Sequence, residues 1–239
     1  MDGDAPLLTL RDVHAGYEDT PILRGLDLTL AAGSMTAIIG ANGAGKSTLL
    51  KTVFGLLRPW SGKIEFLGED ITGLRPIERL RRGIVLVPQG RSNFPAMTVQ
   101  ENLEMGAYTR RGRTVRVDIA AAYERFPVLG ARRRELAGNM SGGEQQMLEL
   151  AMASMLTPRL ALIDEPSLGL AAGMQRDVFA AIEALRATGA TILMVEQNAV
   201  QALGIADRGI VIELGRVRAS GSGAAMLDDP QVRRAYLGL

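Results

Sequence analysis

Short apolar stretches, many of them followed by glycine or proline, set the rhythm of this chain. Residues 7–13 and 25–30 alternate apolar with polar positions and are predicted as strands, the second ending at the turn Ala31-Ala32-Gly33. Residues 35–39, Met-Thr-Ala-Ile-Ile, form a continuous run, as in a strand buried on both faces. Helical spacing begins at Lys46 and ends near Gly55, with Arg58-Pro59 beyond it. Residues 62–66 and 84–87 read as further strands, and a short helix over 76–82 opens on Pro76 between them.

The period then changes. From Thr98 to Ala137 the positions Val99, Leu103, Met105, Ala107, Ile119, Ala122 and Phe126 follow a helical pattern, with few runs of β-branched residues. Strands and helices alternate again afterwards: strands over 160–163 and 191–195, helices over 175–187 and 198–206, a strand pair 209–214 and 217–220 around Gly215, and a closing helix over 230–236. Such β-α alternation predicts a largely parallel sheet covered by helices, with a helical subdomain inserted into it. The arginines of the insertion, Arg110, Arg111, Arg113 and Arg132 to Arg134, are expected on a solvated face, a basic contact surface being the alternative.

Composition narrows the chemistry. The 239 residues, 47% hydrophobic and 22% charged, suffice for one large domain with a full core. A net charge of +1 gives no electrostatic case for nucleic acid or an anionic membrane surface. There is no cysteine, which excludes disulfides and thiol catalysis, and the single histidine, His14, cannot build a histidine-rich metal centre. No apolar run approaches the roughly 20 residues of a membrane span. Residues 1–4, Met-Asp-Gly-Asp, do not resemble a signal peptide, so a cytosolic chain that meets a membrane only through partners is expected. Only three lysines occur, Lys46, Lys51 and Lys63, which makes the position of the first notable.

Lys46 falls in Gly-Ala-Asn-Gly-Ala-Gly-Lys-Ser-Thr, residues 40–48, between the 35–39 strand and a helix. That is the strand–loop–helix setting of a phosphate-binding loop. Gly40, Gly43 and Gly45 permit a tight turn, and Asn42 and Ala44 complete the loop, so that successive N–H groups face an anion at the positive end of a helix. Lys46 would reach the β- and γ-phosphates, with Ser47 as a Mg²⁺ ligand and Thr48 beside it. A bare glycine-rich turn would not require this combination. Residues 160–165, Leu-Ala-Leu-Ile-Asp-Glu, place Asp164 and Glu165 at the carboxyl edge of a sheet, where open α/β folds bind ligands. Asp164 would hold Mg²⁺ through its water shell, and Glu165 would polarise the attacking water.

Between these motifs lies Met-Ser-Gly-Gly-Glu-Gln-Gln, residues 140–146, which resembles the signature of ABC-type ATPases. The phosphate loop, Gln89 after a strand, the signature and the acidic strand stand in that family's order, and the resemblance covers essentially the whole chain. It implies a phosphate-loop NTPase core, α/β with a mostly parallel sheet, an N-terminal antiparallel β subdomain and a helical signature subdomain over 98–140, all within one 1–239 ATPase domain. It further implies that Ser141, Gly142, Gly143 and Glu144 act in trans, gripping the γ-phosphate of ATP bound to a second subunit. Tyr17 matches the family's adenine-stacking aromatic, and Gln89 the glutamine that touches Mg²⁺ or the attacking water and senses the membrane subunit. Residues 167–170 fall where the subunit-crossing loop lies, although its usual aspartate is replaced.

One departure narrows the resemblance. At 195–198, Val-Glu-Gln-Asn, the family generally has a histidine where this chain has Gln197, and an amide cannot carry the proton or charge of an imidazole. Met152 is a second departure, where arginine is expected. Together with residues 92–103, 142–148, 164–170 and the closing Ala235-Tyr236-Leu237-Gly238, these features are similar to the smaller ATPase subunit of branched-chain amino-acid importers. The resemblance implies ATP and Mg²⁺ as cofactors, integral membrane permeases and a second ATPase subunit as partners, and no nucleic acid. It points to a heterodimer with two unequal ATP sites in the cell, a homodimer being open when the chain is isolated, at the inner face of the cell membrane. The alternatives are a soluble ABC-type ATPase with an assembly or regulatory role, and a sensor that binds ATP without turning it over.

Overall fold

The computed structural model describes residues 6–108 and 113–237; residues 1–4, Arg110, Arg111 and Gly238 lie outside the described residues. Its strands in chain order are β1 (Leu8–Tyr17), β2 (Thr20–Leu30), β3 (Met35–Ile39), β4 (Ser61–Phe66), β5 (Glu69–Asp70), β6 (Ile84–Val87), β7 (Leu160–Asp164), β8 (Thr191–Val195), β9 (Arg208–Glu213) and β10 (Arg216–Ser222). They form two sheets. One is antiparallel, ordered β2-β1-β4-β5; the other has six strands, ordered β10-β9-β3-β8-β7-β6, parallel except for the β9–β10 hairpin. The helices are α1 (Lys46–Phe54), α2 (Pro76–Arg81), α3 (Val99–Gly106), α4 (Arg113–Arg125), α5 (Pro127–Ala131), α6 (Gly142–Ser154), α7 (Ala172–Arg186), α8 (Ala199–Ile205), α9 (Gly223–Asp228) and α10 (Pro230–Val232).

Strand alternation divides the core into two layers. On β3, Met35, Ala37 and Ile39 join the cluster that contains α6 and α7 residues such as Leu148, Leu150, Val178 and Ile182. Ile38 points to the opposite layer, with Leu49, Leu50 and Val53 of α1 and the leucines of β1 and β2. Successive residues of β7 and β8 divide in the same way. The central strands are almost wholly apolar, and every residue in β3, β7 and β8 is buried, because both faces are covered.

The predicted helical stretch consists of α3, α4, α5 and a turn of 3₁₀ helix at Ala137–Asn139. Val99, Leu103, Ile119, Ala122 and Phe126 are buried in the same core layer as α6. Thr98 caps α3 in a reciprocal box with Glu101. Met152 of α6 lies where α3 crosses closely: a Cβ on Gly106 would stand 2.7 Å from the Met152 carbonyl oxygen.

Several boundaries differ from the sequence pattern. β1 and β2 run on past 13 and begin before 25 as one long hairpin, because irregularities around Asp12 and Gly16 absorb residues that the alternation could not accommodate. Helix α7 begins three residues before its predicted start, and the closing helix splits into α10 and a wider turn at Arg233–Leu237. Helix α9 lies in a Gly-Ser-rich stretch and is capped by Ser222, whose side chain accepts the Ala225 N–H. Arg132 is not simply solvated: it pairs with Glu144 at 3.2 Å and Glu135 at 3.4 Å. Among the described residues no helix is long and apolar enough to cross a membrane.

Candidate active site

The phosphate loop connects the carboxyl end of β3 to α1, and its backbone is set by close approach. Gly40 has φ 153°, and a Cβ there would run into the Ile212 carbonyl oxygen. Only glycine lets the loop pass β9 at this point. Lys46 is buried, its ammonium donating to the carbonyls of Gly40 at 2.8 Å and Ala41 at 3.2 Å. It also lies 3.9 Å from a Glu165 carboxylate oxygen. The cation is thus held across the mouth of the loop, where an incoming phosphate would meet it.

Asp164 ends β7, and its Oδ1 accepts the Ser47 hydroxyl at 2.9 Å. Burial pushes the Asp164 carboxyl above its ordinary range, against the hydrogen bond from Ser47, which lowers it. Glu165 follows in the left-handed region at φ 48°, its N–H donating to Val195 O at 2.9 Å. That conformation costs a non-glycine residue on the order of 1 kcal/mol and turns the side chain away from the strand direction. Glu165 Oε2 accepts from the Gln89 amide at 3.0 Å, so the ends of β6 and β7 meet across the sheet edge.

These groups line one open cleft of about 400 Å³, bounded by Ile22, Asn42, Gly43, Gly45, Lys46, Ser47, Thr48, Gln89, Glu165, Leu168 and Gln197. A cation, a hydroxyl, a helix N-terminus and the Glu165 carboxylate converge there, with the Asp164 carboxylate bonded to Ser47 behind them, a set that can bind polyphosphate and orient water against it. Tyr17 stands exposed at the end of β1 and is not among the lining residues; Ile22, on the facing strand, is. Residues 141–144 do not line the cleft either. Ser141 caps α6, accepting the Glu144 N–H at 3.4 Å while its own N–H donates to Glu144 Oε2 at 2.8 Å. Gly143 lies against Met174, whose flexible side chain would have to shift to admit a Cβ there.

Three buried charges escaped the sequence reading. Glu196 accepts the N–H groups of Ser167, Gln197 and Asn198 at 2.8, 2.9 and 3.1 Å. Burial raises its carboxyl, while those hydrogen bonds lower it. Glu149 of α6 contacts the segment after Gln89. Arg79, 1% exposed, donates to the carbonyls of Thr52, Val53, Leu74 and Thr72, capping the carboxyl end of α1, and burial lowers its pKa to about 10. Only Glu149 shows as a charge within an apolar pattern; Arg79 is one of several charges over 78–82, and Glu196 stands beside the Gln197 departure with no role of its own marked.

Comparison with known proteins agrees with this geometry. Residues 23–168 match the ABC transporter family. The chain is 44% identical to the high-affinity branched-chain amino acid transport ATP-binding protein BraG of Pseudomonas aeruginosa, over 97% of this chain and 100% of BraG. It is 38% identical to the probable branched-chain amino acid transport ATP-binding protein LivF of Archaeoglobus fulgidus, over 95% of this chain and 97% of that one. A solved nucleotide-free ATP-binding cassette of an ABC transporter superposes with a TM-score of 0.86 at 29% identity, covering 98% of this chain and all of the other. The phosphate-loop cleft and these likenesses together place the chain in the ABC transporter family, as one of its ATP-binding, ATP-hydrolysing proteins.

Proposed function

We propose that this chain powers the import of branched-chain amino acids, or of related small polar solutes, through membrane permeases. The observation that carries the catalytic part is the convergence of Lys46, Ser47, Gln89, Glu165 and Gln197 on one cleft, with Asp164 bonded to Ser47. The names of the two branched-chain relatives supply the solute class. In this reading residues 1–239 are one ATPase domain, with residues 98–140 as its helical signature part.

Lys46 and the loop N–H groups of residues 40–48 hold the β- and γ-phosphates. Glu165 accepts a proton from the attacking water, and Gln89 orients Glu165 and that water from the end of β6. Tyr17 stacks on adenine. Among the described residues no cluster of three or more His, Cys, Asp or Glu side chains could hold a metal on its own. The donors present, the Ser47 hydroxyl, the Asp164 carboxylate and the Gln89 amide oxygen, are hard oxygens of the kind Mg²⁺ takes together with phosphate oxygens and water. Bound there, Mg²⁺ would neutralise phosphate charge.

Ser141, Gly142, Gly143 and Glu144 lie outside this chain's own cleft and serve the ATP of a second ATPase subunit. Gln197 cannot take up a proton as histidine can, which favours a heterodimer whose other member keeps that function. Permeases dock beside Gln89, placing the assembly on the inner face of the membrane. Co-expression with the permease pair and a second, histidine-bearing ATPase tests the proposal. The expected result is a detergent-stable complex whose ATPase rate exceeds that of either ATPase alone; recovery only in soluble complexes without a permease would contradict it.

A further inference from the structure

The backbone beyond Gln89 is gripped by two buried polar side chains. Glu149, eight residues along α6 from Ser141, is 3% exposed, and its Oε1 accepts the N–H groups of Ser92 at 2.6 Å and Asn93 at 3.2 Å and the Asn93 side-chain amide at 3.2 Å. Asn102 of α3, fully buried, accepts the Phe94 N–H at 2.8 Å and donates to the carbonyls of Phe94, Met97 and Thr98 at 3.0, 3.3 and 2.9 Å. Residues 92–98 are therefore tied to α3 and α6.

Between Gln89 and this grip stand only Gly90, at φ 92°, and Arg91, which is exposed. Three Cα steps span at most roughly 11 Å, so the Gln89 backbone cannot travel far without pulling on Glu149 or turning about Gly90. The Ser92 N–H lies in a part-buried bond and Asn93 is buried, so Glu149 satisfies donors that water would not reach in its place. A buried carboxylate is a costly way to do so, the more so because Glu149 Oε2 has no hydrogen-bond partner among the described residues. Such a cost suits a side chain retained for where it holds the loop.

We infer that Glu149 is a positioning residue for ATP hydrolysis: it fixes the Gln89 segment to the helix whose first turn presents Ser141 to Glu144. Gln89 of one ATP site and the signature offered to the other then move as one body. The inference rests on the roles proposed above for Gln89 and the signature. Displacing a reacting group by about 1 Å can cost up to 10²-fold in rate, so loosening this grip should appear in kcat rather than in ATP affinity.

The test is a double-mutant cycle on the full chain, comparing wild type, Glu149→Ala, Gln89→Ala and the double variant. Glu149→Ala should lower kcat about tenfold with KM for ATP within about twofold, and the double variant should be no slower than Gln89→Ala alone. Glu149→Gln keeps the Oε1 acceptor and should recover most of the rate. Amide hydrogen exchange at Ser92 and Asn93 should quicken in Glu149→Ala while β6 and β7 stay protected. If Glu149→Ala does not fold, Glu149→Asp, one methylene shorter, takes its place in the cycle. Full additivity with a defective Gln89→Ala, or quickened exchange at an unchanged kcat, would overturn the positioning role alone. A Gln89→Ala variant with wild-type kcat would overturn the reading of Gln89, and this inference with it.

Discussion

Glu196 and Ser167 are joined across the cleft wall: Glu196 Oε1 accepts the Ser167 N–H at 2.8 Å, while Oε2 takes those of Gln197 and Asn198. One carboxylate thereby ties the loop after Glu165 to the segment bearing Gln197. Both oxygens face donors, so an amide would turn one of them into a donor pointing at N–H groups. Glu196→Gln is expected to cost about 1–3 kcal/mol of stability and to slow ATP hydrolysis. Denaturant unfolding reads the first effect, and an unchanged midpoint would refute the account of this clasp.

Glu149 differs atom by atom: among the described residues Oε1 accepts the Ser92 and Asn93 N–H groups and the Asn93 amide, while Oε2 has no partner. Glu149→Gln should therefore stay within about 1 kcal/mol of wild type near neutrality or exceed it. Burial raises the folded Glu149 carboxyl above its ordinary value of 4.5. Just above that pH the folded chain keeps a proton that the unfolded chain has released, so stability falls as pH rises through the folded value. Glu149→Gln should flatten that decline, as measured by melting temperature against pH; an unaltered slope would contradict it.

Lys46 holds its ammonium against the Gly40 and Ala41 carbonyls. Lys46→Ala removes the main point charge for the phosphates. ATP at one hundred times its Kd should stabilise the wild type by about 2.7 kcal/mol. The variant should gain nothing in the same thermal-shift measurement, and a retained shift would contradict the role of Lys46.

Arg79 satisfies four carbonyls at the carboxyl end of α1 and the nearby chain. Arg79→Met leaves those acceptors buried, at a cost of about 3 kcal/mol. For a chain of this size that is a fall in Tm of roughly 6–12 °C, measurable by calorimetry. A change below about 1 kcal/mol would show the guanidinium to be dispensable.

Much of this architecture was legible because its signals are local. The phosphate loop, the acidic end of β7 and the Ser141 cap each announce themselves within a few residues, and the core strands β3 and β8 coincide with unbroken runs. The β1–β2 hairpin was underestimated because its bulges interrupt the alternation on which the prediction depends. Glu196, Glu149 and Arg79 were illegible for a different reason: each bonds to backbone atoms of another segment, and backbone atoms leave no trace in residue identity. Tyr17 was singled out by resemblance alone, and Ile22, which lines the cleft, had no signal in the sequence.

ATP in this cleft is expected to be hydrolysed with Glu165 as the general base. Its left-handed backbone and its bond to Gln89 hold that carboxylate at the sheet edge beside Lys46. The most direct measurement compares steady-state ATP hydrolysis and ATP binding in wild type and Glu165→Gln. The variant's rate should be about 10²–10⁴-fold lower with binding intact. Hydrolysis by Glu165→Gln at the wild-type rate would contradict it.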